Sequence, residues 1–253
     1  GVEVLAIVST CKSNNTELYK FSLKKKIYYF NIFELGEEFL KNFILKNNIH
    51  TAISISYPKI IKESLLSLFS NGGFNFHPAK LPKYRGCFPT IWPILFNDNY
   101  AHYTLHLMDN NFDTGPILNK IAYKIKKIDT GWSLYKELEK KLPLFIEQSI
   151  ELIFKKKKNY KLQNNKLSNY YPNKLPNEGF IDLNWNGDYI IRFIRSLYSP
   201  VHNPAKIRLG KNIVYIKSAE FFKKKLNRFT ADKKKIELRC KNGYLLFKVE
   251  SRK

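Results

Sequence analysis

The sequence contains few cysteines, and those it has form no pattern. Cys11, Cys87 and Cys240 are an odd number spread over 253 residues. They show neither the close spacing of a zinc site nor the even count of a disulfide framework. We therefore interpret all three as reduced thiols. No cluster of histidine, cysteine and acidic residues in the sequence predicts a metal site.

Long hydrophobic runs are also missing from the sequence. No apolar stretch approaches the roughly 20 residues that a helix needs to span a bilayer. The succession of basic, apolar and small residues that marks a secretory signal is not found at the start of the sequence either. These two absences predict a cytoplasmic protein.

Acidic residues are scarce beside basic ones, with 21 against 44, which gives a formal net charge of +23. Such a charge is typical of proteins that bind nucleic acid. However, only 7 of the 44 basic residues are arginine, and asparagine is abundant beside lysine, a composition that an AT-rich gene produces. The charge alone therefore does not decide between nucleic acid and an anionic small substrate such as a nucleotide diphosphate, because both suit the same positive field.

The first part of the chain alternates between strand-like and helix-like segments. Strands are predicted at 2–8, 27–30, 51–56 and 74–76, and helices at 16–26, 34–47 and 58–69. In the first helix Leu18, Phe21 and Ser22 are expected to face inward, and Pro58 is expected to start the third. This alternation predicts an α/β fold with an open, mostly parallel, Rossmann-like sheet and helices on both faces.

The rest of the chain is predicted to end in a small β-rich part. Helices are predicted at 89–96, 130–154 and 187–197, and strands at 103–108, 117–123, 213–216, 236–240 and 244–249. Thr130 is expected to cap the longest helix, and Pro143 to kink or split it. Residues 155–176 are polar and predict a surface linker. Asn242-Gly243 predicts a hairpin near the end of the chain.

The stretch most informative about chemistry is 71–115. Asn75 and His77 are two residues apart, so on an extended segment they project to the same face, and Pro78 ends that segment. Asp113 follows a second apolar alternation, in an Asn-Phe-Asp-Thr-Gly turn. An amide and an imidazole can donate to a developing oxyanion while a carboxylate orients the imidazole, which is what acyl transfer to an amine needs. The alternative is that His77 and Asp113 only cap backbone groups in loops.

Four motifs occur in order within this stretch. They are Asn75-x-His77-Pro78, Leu81-Pro82-Lys83-Tyr84-Arg85-Gly86, Pro89-x-x-Trp92-x-Ile94 and Met108-Asp109-x-x-x-Asp113-Thr114-Gly115. Together they resemble the folate-dependent formyltransferase family over roughly residues 1–220. The resemblance implies the formyltransferase sheet and the transfer of a formyl group from 10-formyltetrahydrofolate to a primary amine, without a metal. It places the catalytic trio of the family at Asn75, His77 and Asp113.

The resemblance also implies a domain division. We expect a formyltransferase catalytic domain at 1–158, a linker and helical extension at 159–204, and a small β-rich subdomain at 205–253. Members of the family usually open with a strand and a helix ahead of the segment that begins here at Val2. We therefore expect that the catalytic domain lacks its first strand and helix, either by truncation or by loss.

Further site residues follow from strand-end loops and from the resemblance. Folate contacts are expected from Ser56, Tyr57, Leu81, Asn110 and Gly115. Contacts to the amine substrate are expected from Lys59, Lys80, Lys83, Tyr84, Arg85, Trp185 and Tyr198. The alternatives are solvated surface charges for the basic residues and core packing for the aromatic ones. His102 and His106 match no motif and are not expected to be catalytic.

The leading functional hypothesis is a sugar N-formyltransferase that acts on a nucleotide-linked amino sugar, with a dTDP-linked sugar first, for O-antigen or lipopolysaccharide biosynthesis. The segments Phe88-Pro89-Thr90-x-Trp92-Pro93 and Thr104-Leu105-His106 look more like the sugar enzymes than like the tRNA enzymes. The alternatives are a methionyl-tRNA formyltransferase, which the charge favours, and a catalytically inert basic module that binds nucleotide or RNA. A homodimer is compatible with each. Whether His77 is a general base or an electrostatic partner is left open.

Overall fold

The computed structural model describes residues 2–10, 16–226 and 235–249. The chain divides into two compact units, each made of three segments. The first unit comprises residues 1–77, 105–119 and 151–163, and the second comprises residues 78–104, 120–150 and 164–253. The domain boundaries predicted after residues 158 and 204 stay a prediction.

Helices and strands alternate in the first part of the chain. The elements are β1 (Ala6–Ser9), α1 (Glu17–Lys25), β2 (Tyr28–Asn31), α2 (Glu37–Lys46), β3 (Thr51–Ile55), α3 (Glu63–Leu66) and β4 (Gly72–His77). β1 pairs with β2, and β3 pairs with β4, and both pairs are parallel. Parallel neighbours joined through helices are the arrangement that the alternation predicted.

The later elements include the longest helix and a second, antiparallel sheet. They are β5 (Arg85–Gly86), α4 (Ile91–Leu95), β6 (Tyr100–Leu107), β7 (Ile117–Lys124), α5 (Gly131–Phe154), β8 (Tyr170–Tyr171), α6 (Gly187–Leu197), β9 (Lys206–Leu209), β10 (Asn212–Phe222), β11 (Lys235–Cys240) and β12 (Gly243–Val249). One four-stranded sheet has the order β3-β4-β6-β7, and the C-terminal sheet has the order β11-β12-β10-β9. The predicted α/β class with a β-rich C-terminal part is confirmed.

Side-chain caps explain where two of the helices begin. The Thr16 hydroxyl accepts from the backbone N–H of Tyr19 at 3.2 Å and starts α1. At α5 the Thr130 hydroxyl accepts from the Ser133 N–H at 3.0 Å, and the Ser133 hydroxyl accepts from the Thr130 N–H at 2.9 Å. These reciprocal bonds satisfy N–H groups that the helix itself leaves unpaired. The helix is continuous across Pro143, so the predicted split does not occur.

Two predictions about the first unit are wrong. The helix expected from Pro58 begins only at Glu63, because Lys62 is extended (φ −67°, ψ 152°) and acts as its N-cap. In α1 Ser22 is fully buried, but Leu18 and Phe21 are 45% and 49% exposed. An apolar spacing shows which side of a helix is hydrophobic, but it does not show that another element covers that side.

The core of the second unit joins helices α4 and α6 to the C-terminal sheet. Helix α6 buries Ile190, Phe193 and Leu197 completely, and Ile216, Leu245 and Phe247 of the sheet are equally buried. The predicted hairpin is confirmed, although Cys240 pairs with Gly243, so its two-residue loop is Lys241-Asn242. Cys87 and Cys240 are free thiols, and Cys11 lies outside the described residues.

The segment predicted as a linker, 155–176, carries ordered structure. Lys161 forms an antiparallel bridge with Ile117, residues Asn165–Leu167 form a short 3₁₀ helix, and β8 pairs in parallel with β5. Its polar composition had predicted a linker on the protein surface. These contacts instead tie the segment to β7 in the first unit and to β5 in the second.

A cluster around Glu37, in the first turn of α2, predicts a pH-dependent stability. The Glu37 carboxylate accepts from the Lys62 ammonium at 2.6 Å and from the Ser64 hydroxyl at 2.5 Å. The hydrogen bond from Lys62, followed by that from Ser64, lowers the pKa of Glu37 from 4.5 to about 2. A lowered pKa stabilises the fold above pH 4.5, and this contribution is lost as the pH falls towards 2.

The substitution Glu37→Gln should therefore flatten the dependence of the unfolding free energy on pH within that window, measured by denaturant unfolding. The exposed neighbour Glu38 offers the matched control, since Glu38→Gln should leave the slope nearly as it is. Equal slopes for the wild type and Glu37→Gln would show that the cluster does not act in solution.

Candidate active site

Strand β4 carries the first two candidate residues to its carboxyl end. Phe74 and Phe76 are 0% and 1% exposed and alternate with Asn75 and His77 along the strand. The period-two alternation therefore directs the two aromatic rings to one face, and the amide and the imidazole to the other. His77 is itself 6% exposed, and it is the last residue of β4.

The third candidate, Asp113, lies in a tight turn between β6 and β7. The Asp109 carboxylate accepts from the Asn111 N–H at 3.1 Å and from the Thr114 hydroxyl at 2.6 Å, so Asp109 is the residue that caps this turn. Asp113 has a left-handed backbone with φ of 58°. Gly115 follows in a position where a Cβ would lie 1.9 Å from the Leu107 carbonyl oxygen. The left-handed Asp113 and the close approach at Gly115 restrict the backbone of this turn, which carries the carboxylate of Asp113.

The structure brings the three predicted residues together within the first unit. One carboxylate oxygen of Asp113, Oδ1, lies 3.2 Å from Asn75 Nδ2 and 3.6 Å from His77 Nδ1. The first distance is a hydrogen bond, and the second is within ion-pair range for a protonated imidazole. Both carboxylate and imidazole are buried, at 8% exposed for each side chain. Their interaction is consequently screened far less than a surface pair would be.

A second histidine, His106, which was not expected from the sequence to be catalytic, completes the cluster. His106 is 2% exposed, and its Nε2 lies 3.2 Å from Asn75 Nδ2 and 3.4 Å from Asp113 Oδ1. Its Nδ1 lies 2.8 Å from the Leu107 carbonyl oxygen, an acceptor, so Nδ1 carries the proton. In the tautomer with the proton on Nδ1 alone, Nε2 is the acceptor that faces Asn75 Nδ2. His106 belongs to the cluster because its strand, β6, lies next to β4 in the sheet. The order of strands in a sheet cannot be read from a single sequence.

The contacts of His106 and Asp113 determine what Asn75 can do. An amide nitrogen has two hydrogens, and here one points to His106 Nε2 and the other to Asp113 Oδ1. Donation from Asn75 to an oxyanion, as the sequence suggested, requires one of these two bonds to be exchanged for a bond to the substrate. His106 therefore helps to fix the side chain that β4 presents.

The residues predicted to contact folate lie in loops at strand ends. Ser56, with φ of 54°, and Tyr57 follow β3 directly, and burial raises the pKa of the Tyr57 hydroxyl. Asn110 is exposed in the same turn as Gly115. Leu81 belongs to the second unit and is 1% exposed. The positions in the first unit offer main-chain groups, and all of these folate contacts stay predictions.

The residues predicted to contact the amine substrate fall into two groups. Lys80 and Lys83 are exposed, whereas Arg85 is 7% exposed and donates to the Asn165 side chain at 3.0 Å. Tyr84 is 3% exposed and donates to Asp98 at 3.0 Å, and burial, with Asp98 beside it, raises its pKa. The loop of residues 80–85 thus combines two exposed ammonium groups with two buried side chains that are held by hydrogen bonds.

The three remaining predicted contacts already have partners in the structure. The Lys59 ammonium lies 4.2 Å from the centre of the Phe33 ring. Trp185 packs edge-on against Tyr189 and Phe193, with ring centres 5.0 and 5.1 Å apart. The Tyr198 carbonyl accepts from the Trp132 N–H at 3.1 Å. Lys59 and Trp185 thus have side-chain partners, Tyr198 has a main-chain partner, and the predicted substrate contacts of all three stay predictions.

Two general features of the described residues bear on the kind of site. Within residues 2–10, 16–226 and 235–249, no group of three or more histidine, cysteine, aspartate and glutamate side chains could hold a metal ion. In the same ranges, no helix combines the length and the apolar character of a membrane span. His102, in the second unit, has a pKa lowered to about 4 by burial and by Lys80 and Lys120, so its ring is neutral.

Comparison with known proteins identifies the family. The model of the formyl transferase family matches residues 11–148, which is more than half of the chain, and the chain therefore belongs to that family. The solved structure of WlaRD, described as a sugar 3N-formyl transferase in the presence of dTDP and 5-N-formyl-tetrahydrofolate, has a TM-score of 0.68. It is 21% identical, and the match covers 99% of this chain and 88% of that one. This similarity confirms the fold.

The curated relatives include enzymes with different acceptors. The bifunctional polymyxin resistance protein ArnA of Wigglesworthia glossinidia brevipalpis is 30% identical over 86% of this chain, which spans 34% of that protein. GDP-perosamine N-formyltransferase of Brucella melitensis is 28% identical over 88% of this chain and 86% of its own length. A methionyl-tRNA formyltransferase of Agathobacter rectalis is 26% identical over 72% of this chain and 59% of its own length. The predicted class, an enzyme that transfers a formyl group, is confirmed.

Proposed function

We propose that this protein transfers the formyl group of 10-formyltetrahydrofolate to the primary amine of a nucleotide-linked amino sugar. The observation that carries the proposal is the buried cluster at the end of β4, in which one oxygen of Asp113 contacts both Asn75 and His77. A chain of the formyl transferase family with this cluster has the groups that amide formation needs. The sugar acceptor is supported by the relatives, since GDP-perosamine N-formyltransferase matches over 86% of its length.

The chemistry begins with attack of the amine nitrogen on the formyl carbon. A carbon–nitrogen bond forms, the carbonyl electrons move to oxygen, and a tetrahedral oxyanion results. His77 and, after exchange of one bond, Asn75 donate to that oxyanion, a contribution of about 3–4 kcal/mol for each donor. The bond from carbon to the folate nitrogen then breaks, and the proton lost by the amine reaches that nitrogen. We assign to Asp113 the positioning of His77 and a share in this proton transfer.

The folate and the sugar are proposed to use different loops. The loop after β3 and the turn of residues 108–116 present main-chain groups for a pterin. The exposed Lys80 and Lys83 suit the diphosphate of a nucleotide sugar, and the net charge of +23 favours its approach. Among nucleotides we propose dTDP first, with GDP as the alternative. We also propose that the protein acts in O-antigen or lipopolysaccharide synthesis, forms a homodimer and is located in the cytoplasm.

The experiment is a panel of acceptors assayed by tetrahydrofolate release. The protein is given 10-formyltetrahydrofolate with dTDP-, GDP- or UDP-linked amino sugars, and Asp113→Asn, which keeps the side-chain shape, is the control. We expect turnover with at least one amino sugar and little with the control. If the wild type turns over none of them, the sugar proposal is wrong.

A second candidate, methionyl-tRNA formyltransfer, is favoured by the charge and by the match to a methionyl-tRNA enzyme. Contacts to phosphates would make binding of initiator tRNA fall steeply with salt. A gel-shift series over rising salt separates the candidates, because the sugar proposal predicts no specific tRNA binding even at low salt. Folate binding, measured by calorimetry, distinguishes the inert alternative, because a catalytically inert module need not bind folate.

A further inference from the structure

We infer that Gln163 is a positioning residue for Asp113, a role that rests on the proposed function. Its side chain holds the turn of residues 113–115 in the one path that directs the Asp113 carboxylate towards Asn75 and His77. Gln163 lies in the segment that the sequence predicted to be a linker, and it is about fifty positions away from the turn along the chain. All of these residues belong to the first unit.

The contacts of Gln163 use both hydrogens of its amide. Nε2 lies 2.9 Å from the Asp113 carbonyl oxygen and 2.7 Å from the Gly115 carbonyl oxygen. Two donors therefore meet two acceptors, one on each side of Thr114. A turn held at both carbonyls cannot rotate the peptide after Asp113 without breaking a bond.

A short antiparallel bridge fixes Gln163 at this place. The Ile117 N–H donates to the Lys161 carbonyl at 2.8 Å, and the Lys161 N–H donates back to the Ile117 carbonyl at 2.8 Å. In an antiparallel register each step forward on one strand matches a step backward on the other. Because Lys161 pairs with Ile117, Gln163 stands opposite Gly115. The backbone thus delivers the amide to the turn, and the side chain makes the two bonds.

The turn needs such a brace because Asp113 adopts an unfavourable backbone conformation. Its φ of 58° is in the left-handed region, which residues other than glycine adopt at a cost. The Asp109 carboxylate braces the other side of the turn through Asn111 and Thr114. Relaxation of Asp113 to an ordinary φ would swing its side chain away from His77. The bonds from Gln163 to the carbonyl oxygens of Asp113 and Gly115 oppose that relaxation.

The test compares substitutions that separate the donors from the size of the side chain. Gln163→Met keeps nearly the same volume and removes both donors, whereas Gln163→Lys keeps an ammonium that can donate to both carbonyls. We expect Gln163→Met to lower kcat by about 10- to 100-fold, as small misplacements of reacting groups do, with little change in the KM of the amino sugar. Gln163→Lys should recover a large part of kcat.

The matched control is Gln148→Met, at an exposed position on α5, which should leave kcat unchanged. A second readout does not depend on activity: hydrogen exchange of the peptide covering 108–117. Exchange there should rise in Gln163→Met and stay at the wild-type level in Gln163→Lys and Gln148→Met.

The outcomes distinguish this inference from the proposed function. If the wild type formylates an amino sugar and Gln163→Met keeps its full kcat and its slow exchange, the inference is overturned. Equal losses in Gln163→Met and Gln163→Lys, together with a lower unfolding midpoint in both, would assign Gln163 to packing and overturn it as well. If the wild type formylates no acceptor, the proposed function fails, and hydrogen exchange alone decides whether Gln163 holds the turn.

Discussion

Substitution of His77 by alanine is expected to lower kcat by about 10²- to 10⁴-fold, the usual contribution of a positioned imidazole. The KM values of the two substrates should change far less, because the imidazole interacts more strongly with the transition state than with the bound substrates. The measurement is steady-state tetrahydrofolate release with each substrate varied in turn. His50→Ala, at an exposed histidine of the same unit, is the control and should be close to wild type.

The shared contact between His77 and Asp113 adds a second expectation to this result. Asp113→Ala should also reduce kcat strongly, since the carboxylate oxygen lies 3.6 Å from the imidazole and 3.2 Å from the amide. The double variant His77→Ala/Asp113→Ala should lose much less kcat than the product of the two single losses, because the effects of residues that act as one unit are not additive. Fully multiplicative losses would mean that the two side chains act independently.

The second large effect is expected at Gly115. A Cβ there would lie 1.9 Å from the carbonyl oxygen of Leu107, and a backbone atom cannot yield as the end of a flexible side chain can. Gly115→Ala must therefore displace the turn that carries Asp113. We expect a loss of about 1–3 kcal/mol in the unfolding free energy, the range of overpacked positions, together with a fall in kcat like that of Asp113→Ala.

Gly36, the N-cap of α2, provides the matched control for that substitution. A Cβ at Gly36 meets nothing within 4 Å. Gly36→Ala should cost about 0.5 kcal/mol, which reflects a poorer N-cap, and should leave kcat unchanged. Denaturant unfolding and the folate assay on both variants check the pair. If Gly115→Ala had the unfolding free energy and the kcat of the wild type, the turn would be free to move.

The sequence predicted those parts of the site that depend on local pattern. Asn75 and His77 could be placed on one face because a strand has a period of two, and Asp113 because a dense set of motifs surrounds it. His106 and Gln163 could not be found in this way. Each acts through a neighbour that is distant in the sequence, His106 through the strand order β4-β6 and Gln163 through the register between Lys161 and Ile117.

The fold shows the same division between local and long-range information. The cap at Thr130 and the final hairpin were predicted, because each depends on a few adjacent residues. The outward Phe21 and the late start of α3 were not. What covers a helix face, or which residue turns extended ahead of a helix, is decided by packing rather than by propensity.

Transfer of the formyl group to a sugar amine can be observed by following the formyl carbon itself. The protein is incubated with 10-formyltetrahydrofolate labelled with carbon-13 in the formyl group and with the amino sugar that gives the highest turnover, and the products are observed by NMR. We expect the label to appear in an N-formyl group on the sugar, in a ratio of one to one with the tetrahydrofolate released. We also expect Asp113→Asn to slow this appearance strongly. Label that is released as formate, with the sugar amine unmodified, would contradict the proposed formyl transfer.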